Sequence, residues 1–421
     1  MVMTRLTFVM GLGLFAVMAS TALAVDLPRG GPEEVGMSAE RLEQVRAQLD
    51  RFVENGEFPG ITALVARRGK VVFEHTTGLL DVETGAELEP DSLLRIYSMT
   101  KPITSVGAMM LVEDGRLLLD EPVANFFPGW GRLTVLTESG DIAPASAPVT
   151  PRHLLTHTSG LTYGYDGDSA IDRMYREARL IDDWDYLTRD TRELVEKLAG
   201  IPLLFEPGTR WRYSFATDVL GHLIERVSGK SLDVYLQSRL FGPLGMTDSY
   251  FDVPPDAVQR FGTNHVVGED GELIVQDNPR EDPEFIGVTF LAGGGGLVMT
   301  AEDYMRFCFM LLNGGALGDA RILSPATVAL MTGNLLPEGM QTGEQPGFGF
   351  GLGFGIAPSG IHRGTLTPGS YYWAGAAGTF FWIDPGEQLI GLFMPQRINM
   401  PARIRTTLEN LVYAALTEYG R

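Results

Sequence analysis

The feature that most restricts the fold is a pair of β-hairpins near opposite ends of the chain. Residues 61–67, ITALVAR, and 70–76, KVVFEHT, are rich in β-formers and meet at Arg68-Gly69, a two-residue turn. Far downstream, AGTFFWI (377–383) and LIGLFMP (389–395) flank Asp384-Pro385-Gly386-Glu387. Between the hairpins the hydrophobic period becomes helical. Thr150-Pro151 predicts a helix start by cap and N1 proline. TRELVEKLAG (191–200), TDVLGHLIERVSG (217–229) and SLDVYLQSRLFGPLG (231–245) read as helices, the last broken at Gly242-Pro243. Thr300 and Asp303 predict a capping box for a helix that stops at Gly314, and ARIRTTLENLVYAALTEY (402–419) reads as a terminal amphipathic helix. This order implies an α+β fold: an antiparallel sheet built from both termini, flanked by helices and holding a mostly helical insertion. The expected sheet domain is 25–97 with 295–421, and the helical domain is 98–294. Any site formed by both then lies between them.

Residues 1–24 have a different texture. Arg5 is their only charge, an apolar run follows from Leu6 to Met18, and Ala22-Leu23-Ala24 puts small residues before Val25. That is the pattern of a signal peptide cut after Ala24, which makes the mature chain periplasmic or secreted. The competing reading is an uncleaved anchor, because Leu6 to Ala24 could just span a bilayer. Without the leader's arginine the chain carries 32 basic and 53 acidic residues, a net of −21. A surface this negative repels phosphate backbones and anionic lipid heads, so neither nucleic acid nor, beyond the leader, a membrane is an expected partner. Cys308 is the only cysteine, so an exported chain has no internal disulfide; within YMRFCFMLL it reads as a buried thiol.

Function concentrates in three short stretches. In RIYSMTKPITS (95–105), Ser98 and Lys101 stand three apart in a chain with only four lysines. Pro102 favours the first turn of a helix, which puts both side chains on one face near a helix N-terminus. There the free amides favour a developing oxyanion, and a desolvated lysine loses proton affinity and can act as a base. In WRYSFATDVLG (211–221), Tyr213 precedes a helix, from where a phenol can reach a cleft and shuttle a proton. In YYWAGAAGTFFWIDP (371–385), Ala374, Gly375, Ala376 and Ala377 are small enough for a ligand to reach backbone amides.

In this order, Ser98-Met-Thr-Lys101, Tyr213-Ser-Phe215 and Trp373-Ala-Gly375 resemble the three motifs of the serine β-lactamase and penicillin-binding-protein superfamily. HLLTHTSGL, FEPGTRWRYS, LIERVSGKSL and GGGGLVMTAEDYMRF fit the same resemblance, which spans roughly residues 60 to 400. It implies Ser98 as nucleophile, Lys101 and Tyr213 as proton-transfer groups, and the N–H groups of Ser98 and Ala376 as the oxyanion hole. Phe215 replaces the usual asparagine of the second motif, and Trp373 the usual lysine or histidine of the third. Both changes remove polar groups meant for a charged amide ligand. In that respect the chain resembles the family VIII carboxylesterases on a class C β-lactamase-like fold. The resemblance implies a small-molecule ester as substrate, no cofactor, and Phe215, Trp373, Ala374 and Gly375 as substrate contacts. A β-lactamase or D-amino-acid peptidase is the alternative enzyme, and an inactive binding or scaffold homologue is the alternative of another class.

Competing constellations are weaker. The chain has no Gly-x-Ser-x-Gly elbow. His153 and His157 have zincin spacing, but Leu154 stands where the general-base glutamate belongs, so both histidines read as structural. Asp182, Asp183 and Asp185 read as a solvated acidic turn rather than a metal site.

Overall fold

The computed structural model describes residues 26–420 except 166, 168, 182–188, 282–284, 343–346 and 358–365. The expected leader and the acidic turn at Asp182, Asp183 and Asp185 lie outside the described residues.

Three strands from the N-terminal side, β1 (Gly60–Arg67), β2 (Lys70–Asp81) and β3 (Ala86–Glu87), join five from the C-terminal side. These are β4 (Gly349–Phe350), β5 (Gly355–Ile356), β6 (Tyr371–Ala374), β7 (Phe380–Asp384) and β8 (Leu389–Pro395). They form one sheet in the order β4-β5-β6-β7-β8-β1-β2-β3, antiparallel at every pairing. The two expected hairpins are therefore its centre, and the seam between termini runs from Ile61 opposite Pro395 to Arg67 opposite Leu389. Arg68 and Gly69 both take positive φ, 47° and 79°, as a primed two-residue turn requires.

Helices cover both faces, so β1, β7 and β8 are buried at every residue and read as continuous apolar runs rather than alternating ones. On one face Ile61, Ala63, Val65, Phe380, Trp382 and Phe393 pack under α1 (Ala39–Glu54) and the C-terminal helix. The opposite face, with Leu64, Phe381, Leu392 and Met394, shares the larger core with Tyr304, Phe307 and Cys308 of the helix at Ala301–Leu312. Burial pushes the Cys308 thiol well above its usual range, which leaves it unreactive. Buried Arg67 locks the ends together. It donates to Glu387 Oε2 (2.7 Å) and to the carbonyls of Gly36 (2.6 Å) and Glu418 (2.9 Å).

The insertion contributes α2 (Thr100–Glu113), α3 (Ala216–Ser228) and shorter helices, with two small hairpins at 134–144 and 264–277. The remaining long helices are α4 (Ala301–Leu312) and α5 (Ala402–Ala414). Two expectations need correction. The helix after Ser231 does not break at Gly242-Pro243: a π turn at Gln237–Phe241 carries it on to Gly245. The wider turn accommodates a proline that has no N–H to donate. At α4, Thr300 caps the Asp303 N–H (3.3 Å), but the box is not reciprocal. Asp303 instead accepts from Asp248 N–H (2.7 Å) and Ser249 Oγ (2.8 Å), because the strand at Ser249–Tyr250 pairs with Val298–Met299 beside it.

Candidate active site

The nucleophile turn is pinned from two sides. Leu94–Arg95 pairs with Val298–Met299, and Gln396, just past β8, exchanges hydrogen bonds with the backbone of Arg95 (3.0 and 3.1 Å). The next residues turn as a 3₁₀ segment, Tyr97–Met99, immediately before α2. Tyr97 is held at φ +41°, a conformation that costs about 1–3 kcal/mol for a side-chain-bearing residue and clusters at functional sites. Ser98 thus sits at the mouth of α2, as the serine-proline spacing predicts.

Lys101 lies one turn on and is 1% exposed. Its Nζ donates to Ser98 Oγ (3.2 Å) and to the carbonyl of Gly294 (2.6 Å), and it rests 4.5 Å from the centre of the Tyr213 ring. Gly294 belongs to the glycine run after Leu291, which lies against α3. A side chain at 294 would collide with the Asp218 carboxylate at 2.5 Å, so only glycine brings this carbonyl to the lysine. Asp218 in turn accepts the Gly294 N–H at 2.9 Å. Burial raises the Asp218 carboxyl above its ordinary range, against the lowering effects of the Lys101 charge and the Gly294 N–H.

Tyr213 is held among aromatic rings: Tyr163 at 5.2 Å, Trp373 at 5.5 Å and His157 at 5.0 Å. Burial, with the nearby Lys101 charge adding, holds His157 well below its usual pKa, so the ring stays neutral. His153 and His157 do not share a helix face. The helix ends at Leu155, His153 closes its N-terminal cap through Thr150, and His157 sits beyond it at φ +55°.

Ser98 and Tyr213 open onto a cavity of about 470 Å³ walled by Trp211, Phe350, Tyr372, Trp373 and the backbone from Ala374 to Ala376. Among the described residues no protein group accepts the Ala376 N–H. The reason for glycine at 375 differs from the expected one. A Cβ there would meet the Ile96 carbonyl at 2.2 Å, so the missing side chain admits the nucleophile turn itself rather than a ligand. Of the expected contacts, Trp373, Ala374, Gly375 and Ala376 line the cavity with Ser98 and Tyr213. Phe215 is not in that lining; its ring packs on Tyr163 (4.5 Å) and Tyr175 (6.2 Å) behind it. Gly294, Asp218, Tyr163, Trp211 and Phe350 carry no sequence expectation. Their signals, the glycine run and the residues around Tyr213, are visible but do not say which one turns inward. The arrangement combines a hydroxyl beside a buried amine, a phenol, and a free backbone donor on an aromatic-walled cleft. That set suits acyl transfer from a largely apolar substrate.

The Beta-lactamase family profile matches residues 45–414. An uncharacterised protein of Mycobacterium tuberculosis is 34% identical over 373 residues, 84% of this chain and 90% of its own. Esterase EstB of Burkholderia gladioli is 30% identical over 418 residues, 94% of this chain and 100% of EstB. Among solved structures, EstCE1, described as a hydrolase with promiscuous acyltransferase activity, matches with a TM-score of 0.76 at 26% identity, covering 89% of this chain and 98% of EstCE1.

Proposed function

The chain belongs to the β-lactamase family, and from that membership we propose that it is a serine carboxylesterase that cleaves small to medium esters through an acyl-enzyme on Ser98. The esterase and acyltransferase relatives support a serine hydrolase or acyltransferase in general. The observation that carries the finer reading is Ser98 Oγ at 3.2 Å from a buried lysine, facing a cleft whose third-motif position is Trp373 rather than a cation. A β-lactam carboxylate finds no lysine or histidine at that position, whereas an uncharged ester carbonyl needs none.

In the proposed reaction Lys101, with Tyr213, takes the Ser98 hydroxyl proton as Oγ attacks the ester carbonyl. The N–H groups of Ser98 and Ala376 receive the oxyanion. Tyr213 passes the proton to the departing alkoxide as the C–O bond breaks, then takes one from the water that attacks the acyl-enzyme. Asp218 holds Gly294, and through it the lysine, in place. The leader at 1–24 extends the proposal to an exported enzyme.

The test is p-nitrophenyl butyrate hydrolysis by wild type and Ser98→Ala, with nitrocefin turnover measured in parallel. Loss of ester turnover in the variant, and ester turnover well above nitrocefin turnover in wild type, are expected. An unchanged rate in Ser98→Ala sinks the nucleophile, and nitrocefin turnover equal to ester turnover sinks the esterase assignment.

A further inference from the structure

The catalytic cavity is apolar along most of its wall, yet α5 places a guanidinium in it. Among the described residues Arg405 is the only charged one in that lining. Its position is built rather than incidental. The guanidinium lies 4.6 Å from the Tyr372 ring centre and 5.6 Å from that of Phe380, and its side chain is 18% exposed. Its Nε donates to Glu409 Oε1 at 2.7 Å, which fixes the plane of the fork from one turn further along α5. No described residue accepts from Nη1 or Nη2. Stacked and tethered at one edge, the group presents its other edge as an open pair of donors, the geometry that matches a carboxylate. Asn399 and Thr342 supply further polar groups on the same lining.

The net charge of the chain sharpens the point. At −20 overall, the protein repels anions from most of its surface. A single partly enclosed arginine in the reaction cleft is then a selective feature, because it makes that cleft the place where an anion is tolerated. Stacking on Tyr372 alone needs only the flat face of the guanidinium and leaves its open donors unexplained.

We propose that Arg405 forms a carboxylate subsite in the catalytic cleft, so that the preferred ester carries a carboxylate several atoms from its scissile bond. This deepens, and rests on, the reading of Ser98 as an esterase nucleophile. The carboxylate docks on Nη1 and Nη2 while the ester carbonyl reaches Ser98, and the aromatic walls hold the chain between them.

Two measurements test it. In the first, kcat/KM is compared for p-nitrophenyl hemiesters of succinate, glutarate and adipate against p-nitrophenyl butyrate, pentanoate and hexanoate, with the Ser98→Ala background subtracted. At least one hemiester is expected to exceed its length-matched neutral ester by about tenfold (~1.4 kcal/mol). That ratio should collapse towards one in Arg405→Met and weaken with added salt. Acetoxybenzoates, compared with phenyl acetate, place the carboxylate on the alcohol side. An Arg405-dependent preference in either series supports the subsite, and none in both overturns it.

The second needs no turnover. Trp211 and Trp373 line the cleft, so intrinsic fluorescence of Ser98→Ala protein can report glutarate binding, with glutaramide as the uncharged control. Saturable binding of glutarate alone, weakened about tenfold by adding Arg405→Met, is expected. Equal responses to acid and amide refute the subsite, even where the variant folds poorly. Conversely, glutarate binding in a protein with no Ser98-dependent ester turnover would reject the esterase reading and leave the subsite standing.

Discussion

Replacing Lys101 by arginine separates a base from a charge. Lys101 Nζ bonds Ser98 Oγ (3.2 Å) and Gly294 O (2.6 Å) from a site that is 1% exposed, so it has no solvent to share its proton with. A purely electrostatic lysine could be replaced by arginine, which stays charged and also donates to carbonyls. A general base could not, since a guanidinium does not deprotonate in proteins. Loss of a positioned base lowers rates by about 10²–10⁴, which is roughly 3–5 kcal/mol of transition-state stabilisation. Lys101→Ala also strands the buried Gly294 carbonyl, at about 1–3 kcal/mol of folding stability. Both variants should therefore be checked for cooperative unfolding before kinetics. The assay is kcat/KM on p-nitrophenyl butyrate across pH 6 to 10 for wild type, Lys101→Ala and Lys101→Arg. The expected result is that Arg and Ala fall together by at least a hundredfold. If Arg retains more than about a tenth of wild-type activity, a loss under ~1.4 kcal/mol, Lys101 is not the base.

Asp218→Asn keeps an acceptor for the Gly294 N–H but removes the carboxylate that interacts with Lys101. Ester kcat/KM should fall several-fold and its pH profile should move; a profile superimposable on wild type would reduce Asp218 to packing. Burial raises the Asp303 carboxyl to about 6, from an ordinary value near 3.8. The folded state therefore holds an extra proton between those values, and this group's contribution to stability falls as pH rises from about 4 to 6, by about 3 kcal/mol in all. In urea denaturation, Asp303→Asn should gain stability relative to wild type across that window, and a difference constant with pH would contradict it.

The fold was legible where local chemistry and tertiary pairing agree. Arg68-Gly69 demands a primed turn, and the runs on either side have no other use for so many β-formers, so the hairpin follows from residues 61–76 alone. That the two hairpins join along β1 and β8 is also implied, because each would otherwise leave a buried strand edge unpaired. The capping box at Thr300 was misread because Asp303 has the right spacing and a better use. Its partners, Asp248 and Ser249, stand over fifty residues earlier and reach it only through the Ser249–Tyr250 pairing with Val298–Met299. Helix α1 was legible in principle, with Leu42, Val45, Leu49 and Phe52 on one face behind the Ser38 cap, but short motifs draw attention elsewhere.

The site divides along the same line. Ser98 and Lys101 are neighbours on one helical turn, so spacing brings them together before any tertiary contact forms. Every other group must be delivered across the fold: Gly294 O by a glycine run, Tyr213 by the residues before α3, and Arg405 by the terminal helix. Glycine shows how this hides function. A sequence shows that 294 and 375 lack side chains, but not what occupies the space: at 294 it is the Asp218 carboxylate, at 375 the Ile96 carbonyl. In both cases the space is filled by the protein itself. The glycines let the backbone close in around Ser98 and Lys101, and the substrate meets what the larger residues leave open.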